Sequence, residues 1–181
     1  MSQNTTFWKN KKVFLTGHTG FKGGWLSVFL NHLGAKVLGF SLEAVPQSYF
    51  NLVNLEPGLN HHEGDIRDLS RLVEAERSFK PDILIHMAAQ PLVIESYKDP
   101  ITTFSTNIMG TVNVLELVRM SSSIRSGVII TTDKCYENRN LSRGYKEDDP
   151  MGGHDPYSSS KGSAELIISS YQRSFFGKDQ Y

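Results

Sequence analysis

The sequence predicts an open, doubly wound α/β fold built on a mainly parallel sheet. Three observations carry that expectation. Short apolar runs alternate with longer helical patterns throughout, as in a succession of βαβ units. Ile83-Leu84-Ile85 and Val128-Ile129-Ile130 are continuously apolar, as strands covered on both faces would be. A glycine-rich turn, Gly17-His18-Thr19-Gly20-Phe21-Lys22-Gly23, joins the first apolar run to the first helical pattern.

In chain order, strands are expected at 13–16, 36–41, 62–64, 83–86 and 128–132, and helices at 25–33, 69–79, roughly 101–120 and 158–176. The first strand, turn and helix form a phosphate-binding device. Missing side chains let the backbone approach a pyrophosphate, and the helix N-terminus offers unpaired N–H groups with a partial positive charge. Gly17, Thr19, Gly20, Phe21, Lys22 and Gly23 are therefore assigned to a dinucleotide. A purely steric need for glycine at a packed strand–helix turn is the alternative. Residues 43–58 and 138–155 read as surface loops, the second from its Gly, Asp and Pro content. Helix 158–176 is followed by five residues, whereas the right-handed crossover rule calls for another parallel strand. The chain is expected to be cut short of a complete sheet.

Composition narrows the class. At 181 residues the chain suits one domain with a proper core. Lys+Arg 19 balances Asp+Glu 19, which argues against a nucleic-acid or acidic-membrane surface. No apolar stretch approaches a membrane span, and residues 1–12 are too polar for a signal peptide. The lone Cys135 excludes an internal disulfide and fits a reducing cytoplasm. The six histidines lie scattered, and His61-His62 has no Cys or acidic partner at a metal-ligand spacing. No metal is expected.

Tyr157 and Lys161 lie four apart and so share one helix face. A nearby ammonium stabilises phenolate and draws the tyrosine pKa toward neutrality, giving a base for a sugar or alcohol hydroxyl. The spacing alone is unspecific, because a solvated helix face would show it too. Its weight comes from Thr132-Asp133-Lys134, which closes strand 128–132 at the carboxyl edge, where open α/β sheets place ligands.

Thr132, Tyr157 and Lys161 behind such a glycine turn resemble the short-chain dehydrogenase/reductase superfamily, with its Rossmann-type sheet. The chain is similar to the extended, nucleotide-sugar members along nearly its whole length. Gly64-Asp65-Ile66-Arg67-Asp68 resembles their adenine-contacting segment, which implicates Asp65 and Ile66. His86-Met87-Ala88-Ala89-Gln90 resembles their H-x-A-A turn, which implicates Ala88, Ala89 and Gln90. Tyr97, Asp99-Pro100, Asn107 and Gly110-Thr111 match the opening of the next helix. Asn107 and Thr131 complete the implied cofactor-binding set. Where an acid that binds the adenosine ribose should end the second strand stands Ser41, with Glu43 two residues on. Glu43 either reaches the ribose hydroxyls or is a solvated loop carboxylate. The resemblance, and the absence of arginine between Gly39 and Ser48, favour NAD over NADP.

Asp133 and Lys134 supply an acid/base pair directly after the Thr, which nucleotide-sugar epimerases lack and 4,6-dehydratases need to eliminate water. Thr132-Asp133-Lys134-Cys135-Tyr136, the stretch His18 to Leu26, and Gly144-Tyr145-Lys146-Glu147 with Asp149-Pro150-Met151-Gly152-Gly153 resemble the CDP-glucose 4,6-dehydratases. That resemblance implies conversion of CDP-D-glucose to CDP-4-keto-6-deoxy-D-glucose through bound NAD, in deoxysugar and O-antigen (lipopolysaccharide) synthesis. Tyr157 is then the base at O4, Lys161 its partner and the anchor of the nicotinamide ribose, and Thr132 a hydrogen-bonding group at O4. Lys134 is the base at C5, and Asp133 the acid at O6. The resemblance further implies a homodimer or higher homo-oligomer, pairing helices 101–120 and 158–176 through Val112, Val114, Leu115, Leu117, Ile167, Ile168 and Tyr171. It makes residues 1–181 a truncated NAD-binding domain whose nucleotide-sugar-binding domain lies outside this chain. Another nucleotide-sugar dehydratase, a 4-epimerase, or a silent nucleotide-binding module remain the alternatives.

Overall fold

The computed structural model describes residues 6–55 and 59–177. They form two compact units, one of residues 6–55, 59–88 and 120–130, the other of 89–119 and 131–177.

The first unit is a five-stranded sheet. Strands β1 (Lys12–Thr16), β2 (Lys36–Ser41), β3 (Asn60–Glu63), β4 (Ile83–His86) and β5 (Ser126–Ile129) pair in parallel in the order β3-β2-β1-β4-β5. The chain starts at the centre and winds outward both ways. Strand β1 is thus flanked on both sides, and Val13, Phe14, Leu15 and Thr16 are wholly buried. Its register sets Leu15 beside both Gly39 and Ile85, so the carboxyl ends of β1, β2 and β4 finish level. On one face Val13, Leu15, Leu30, Ala35, Val37, Ile83 and Ile85 form one apolar cluster. Phe14, which alternation sends to the opposite face, stacks on Phe40 at 5.9 Å. Each such side chain removed from water contributes about 1.5–3 kcal/mol.

Helix α1 (Phe21–His32) follows β1, α2 (Tyr49–Leu52) follows β2, and α3 (Leu69–Phe79) follows β3. Helix α3 has the expected bounds, capped by the Asp68 carboxylate, which accepts from the Arg71 N–H at 3.1 Å. Helix α1 begins four residues before its expected start. Gly20, in extended backbone at φ −74° and ψ 164°, is its N-cap, and the poor helix propensity of glycine hides that first turn from a pattern reading. The short α2, capped by the Ser48 hydroxyl, lies in a segment expected to be loop; residues 56–58 of that segment lie outside the described residues.

Strand β5 corrects two expectations. It ends at Ile129, so Thr131 and Thr132 lie beyond it. Val128 is 46% and Ile130 40% exposed, not covered on both faces. Of the described residues only β4 pairs with β5, and an apolar run does not reveal whether a strand is central or outermost.

The second unit is helical. It holds α4 (Val93–Lys98), α5 (Pro100–Phe104), a π-helical turn over Ser105–Met109, most of α6 (Gly110–Met120), a 3-10 turn at Asp133–Cys135, and α7 (Pro156–Phe175). The helix expected over 101–120 is therefore one run widened at its middle, while α4 has no counterpart among the expected elements. Asp99 separates α4 from α5, its carboxylate accepting from the Thr102 N–H at 2.9 Å, and Pro100 fits the first turn, where no N–H is required. Helix α7 starts the same way: Asp155 accepts from the Ser158 N–H at 2.9 Å, and Pro156 follows the cap.

Candidate functional site

The glycine turn lies in the first unit, and its three glycines are held for different reasons. Gly17 has φ +79°, and a Cβ there would stand 2.7 Å from the Ala88 backbone nitrogen. A Cβ on Gly23 would stand 2.1 Å from the Gly17 carbonyl oxygen. These two glycines are needed by the fold itself. Gly20 is not. Its backbone is ordinary and its nearest obstacle is 3.3 Å away, yet it caps α1, where unpaired N–H groups and the helix dipole attract an anion. A bare backbone at that point is a surface a pyrophosphate can approach, and the residues present fit a dinucleotide.

Thr16, absent from the sequence-based set, organises the neighbouring turn. Its hydroxyl is hydrogen-bonded to His86 Nδ1 at 2.7 Å and accepts the N–H groups of Met87 and Ala88 at 3.1 and 3.2 Å. The Ala88 backbone is thereby fixed against Gly17. The signal in the sequence is only that Thr16 is the last residue of the first strand. Thr19 and Ser41 share a hydrogen bond of 2.7 Å, and Thr19 also donates to the Leu42 carbonyl, which joins the glycine turn to the end of β2. Glu43 lies exposed two residues beyond Ser41, and Phe21 and Lys22 are exposed on the first turn of α1.

Asp65 is held by Arg67, whose guanidinium and backbone N–H both reach its carboxylate, at 2.6 and 2.8 Å. The Arg67 side chain is the main reason that carboxyl lies below its usual range. Ile66 beside it is buried. His18, wholly buried within the glycine turn, is hydrogen-bonded through Nε2 to His61 Nδ1 at 2.7 Å. Burial and the neighbouring His61 push it from 6.5 to about 4, with the Phe40 backbone acting in the opposite sense.

The second unit brings together Thr132, Tyr157 and Lys161. Tyr157 and Lys161 are both buried on one face of α7, so neither belongs to a solvated helix face. The Thr132 hydroxyl favours ionisation of the Tyr157 phenol, but burial outweighs it and Asp133 and Asp155 add to burial, so the phenol lies above its ordinary value. The expected lowering of Tyr157 by Lys161 is not seen. Burial likewise moves Lys161 down, opposed by Glu165. Asp133 and Lys134 stand side by side and exposed in the 3-10 turn, where the Thr132 hydroxyl is 3.0 Å from an Asp133 carboxylate oxygen.

Three further expected cofactor residues, Gln90, Asn107 and Thr131, also have internal partners. The Gln90 amide is bonded to the Leu92 backbone and, at 2.8 Å, to the Thr103 hydroxyl. Asn107, buried in the π turn, accepts from the Gln90 N–H at 2.8 Å and donates to the Gln90 carbonyl at 3.1 Å. Thr131 donates its hydroxyl to Glu165, a residue absent from the sequence-based set. Ala88 and Ala89 are half-buried. Of the residues expected at a subunit interface, Val114, Leu115 and Leu117 are buried within this chain, because α6 uses them for its own packing. Among the described residues no three His, Cys, Asp or Glu side chains gather as a metal site, and no helix is long and apolar enough to cross a membrane.

A parallel sheet of this order, a glycine turn against its central strand and a buried Tyr/Lys pair on one helix define a nucleotide-binding class, and the family model for GDP-mannose 4,6 dehydratase matches residues 14–176. The chain belongs to that family. It is 54% identical over 177 residues to the CDP-glucose 4,6-dehydratase of Salmonella typhimurium, covering 97% of this chain and 49% of that protein. The chain spans about half the length of the curated relatives it matches. Among solved structures, the Thermus thermophilus UDP-glucose 4-epimerase complexed with NAD matches at TM-score 0.79 and 28% identity, over 91% of this chain and 52% of that one. A Streptomyces venezuelae dTDP-glucose 4,6-dehydratase with NAD bound shares the fold at TM-score 0.78 and 23% identity, over 91% and 52%.

Proposed function

We propose that this chain is the NAD-binding and proton-transferring part of a CDP-glucose 4,6-dehydratase, with the nucleotide-sugar-binding domain outside it. The observation that supports this most is the buried Tyr157 and Lys161 on one face of α7, with Thr132 facing the phenol and Asp133-Lys134 directly after it. The 54% identity to the Salmonella enzyme supports cytidine-linked glucose as the substrate.

When bound, NAD would supply the hydride acceptor for the hexose C4 and the hydride donor for C6. The bare backbone at Gly20 and the N-terminus of α1 would hold its pyrophosphate, and the Asp65–Ile66 segment and Ala88-Ala89 would border its adenosine half. Glu43 would meet the adenosine ribose. Lys161 would donate to the nicotinamide ribose hydroxyls. Tyr157 Oη takes the proton from O4, with Thr132 Oγ1 bonded to the same oxygen. Once C4 is a ketone the C5–H is acidified. Lys134 Nζ, as the free amine, removes that proton, and Asp133, as the carboxylic acid, delivers one to the departing O6 hydroxyl, which leaves as water. The Lys134 ammonium then returns a proton to C5 as hydride reaches C6, so the adjacent pair divides base and acid work. The product fits deoxysugar synthesis for O-antigen in the cytoplasm. Assembly as a homo-oligomer would use the apolar residues of α6 and α7 left partly exposed.

Epimerases among the structural matches give a second reading, a nucleotide-sugar 4-epimerase using the same Tyr157/Lys161 pair. One experiment separates them. This chain fused to the C-terminal half of the Salmonella enzyme is given CDP-glucose deuterated at C5, with dTDP-glucose as comparison. A 4-keto product and loss of the C5 deuterium support dehydration; an inverted C4 with C5 deuterium retained supports epimerisation.

A further inference from the structure

Residues 157, 161 and 165 recur every fourth position and so follow one another along a single face of α7. The proposed function uses the first two. Glu165 is drawn into the unit by the Thr131 hydroxyl, which donates to its Oε1. The very next residue, Thr132, serves Tyr157. Two consecutive hydroxyls thus meet the two ends of this face, with Lys161 between them.

We propose that Glu165 is a positioning residue: its carboxylate, held by Thr131, is the counter-charge that keeps the buried Lys161 an ammonium. A buried lysine without a partner sheds its proton, because a desolvated ammonium is costly. Lys161 is only 8% exposed, and among the described residues the charge that opposes this loss is Glu165. The other titratable groups packed about α7, including Tyr97 of α4 and Glu116 of α6, which accepts from the Tyr171 hydroxyl and pairs with Arg119, do not act on Lys161. Asp133, Cys135 and Tyr136 come from the 3-10 turn and the residue after it, and Asp155 and Tyr157 from the start of α7. Glu95 and Lys98 of α4 pair with each other at 2.8 Å; α5 and the π turn contain no ionisable side chain. The proposal rests on the roles given above to Tyr157 and Lys161, since only an ammonium can favour phenolate and donate to ribose hydroxyls at once.

The test needs neither substrate nor cofactor. In the 181-residue chain, the Lys161 side-chain resonances are titrated by heteronuclear NMR. The thiolate absorbance of Cys135, the only cysteine, is titrated alongside; Cys135 is raised by burial and then by Glu165. In Glu165→Gln both pKa values should fall, Lys161 by about one unit, because a negative charge favours protonation of either group. Mere loosening of the fold would expose Lys161 and move it up toward the ordinary lysine value, the opposite sign. A rise, or no change, at Lys161 overturns the proposal. Should Glu165→Gln not fold, Thr131→Val decides: release of the carboxylate should lower Lys161 by a smaller step, and an unchanged or raised value overturns the proposal. Failure of the dehydratase reading would show instead as absent C5 exchange, with these titrations unaffected.

Discussion

The Asn107 side-chain amide donates to the Ser160 hydroxyl at 2.8 Å, while the same side chain closes two bonds on the Gln90 backbone. Ser160 passes the connection on to the Tyr157 carbonyl at 2.6 Å. One buried residue of the π turn thus fixes both the segment after Ala89 and the helical turn that carries Tyr157 and Lys161. A π turn widens the helix locally and is often retained where a side chain must be aimed.

Asn107→Leu should therefore destabilise the chain by about 2–4 kcal/mol, from the lost bonds and the buried groups of Gln90 and Ser160 left without partners. Urea unfolding measures it. A cost below about 1 kcal/mol would show that these groups find other partners.

The two kinds of glycine can be separated by alanine. Gly20→Ala should leave stability within about 1 kcal/mol, since its Cβ meets only a carbonyl oxygen at 3.3 Å, yet weaken NAD binding through the lost approach to the pyrophosphate. Gly23→Ala should fail to give a stable fold, because the added carbon overlaps the Gly17 carbonyl at 2.1 Å. Calorimetry with NAD on folded Gly20→Ala that returned wild-type affinity would reduce the turn to a structural feature.

Tyr157→Phe keeps the buried ring and removes only the hydroxyl. In the fusion with the C-terminal half of the Salmonella enzyme, single-turnover appearance of NADH should slow by about 10²–10⁴-fold, with cofactor affinity little changed. An unchanged rate would assign the O4 proton to another group.

The His18–His61 pair should make the first unit sensitive to mild acid. His18 is lowered from 6.5 to about 4, so between those values the unfolded chain binds the proton that the folded chain refuses. Its contribution is complete above pH 6.5 and is lost as the pH falls toward 4, on the order of 3 kcal/mol in all. His18→Gln should flatten that part of the stability–pH curve. Parallel curves for the two proteins would show that His18 does not govern it.

Much of this architecture is written locally. The glycine turn, the apolar runs of β1, β2 and β4, the Asp68 cap of α3 and the Tyr157/Lys161 spacing depend on residues close in sequence, where propensity, periodicity and capping act. Strand β5 departs from its expected bounds and burial because exposure depends on which strand lies beside it, and Ser126 to Ile129 pair only with β4 among the described residues. The two short helices α2 and α4 fall below the length at which periodicity speaks. Only tertiary contact decided that Gly20 is the one glycine of the turn free of steric need, that Asn107 and Gln90 bind each other, and that Thr16 and Glu165 matter at all. Thr16 meets Ala88 across 72 residues and Thr131 meets Glu165 across 34. No local pattern encodes such pairs, because a hydroxyl or carboxylate gains its role from what the fold sets against it.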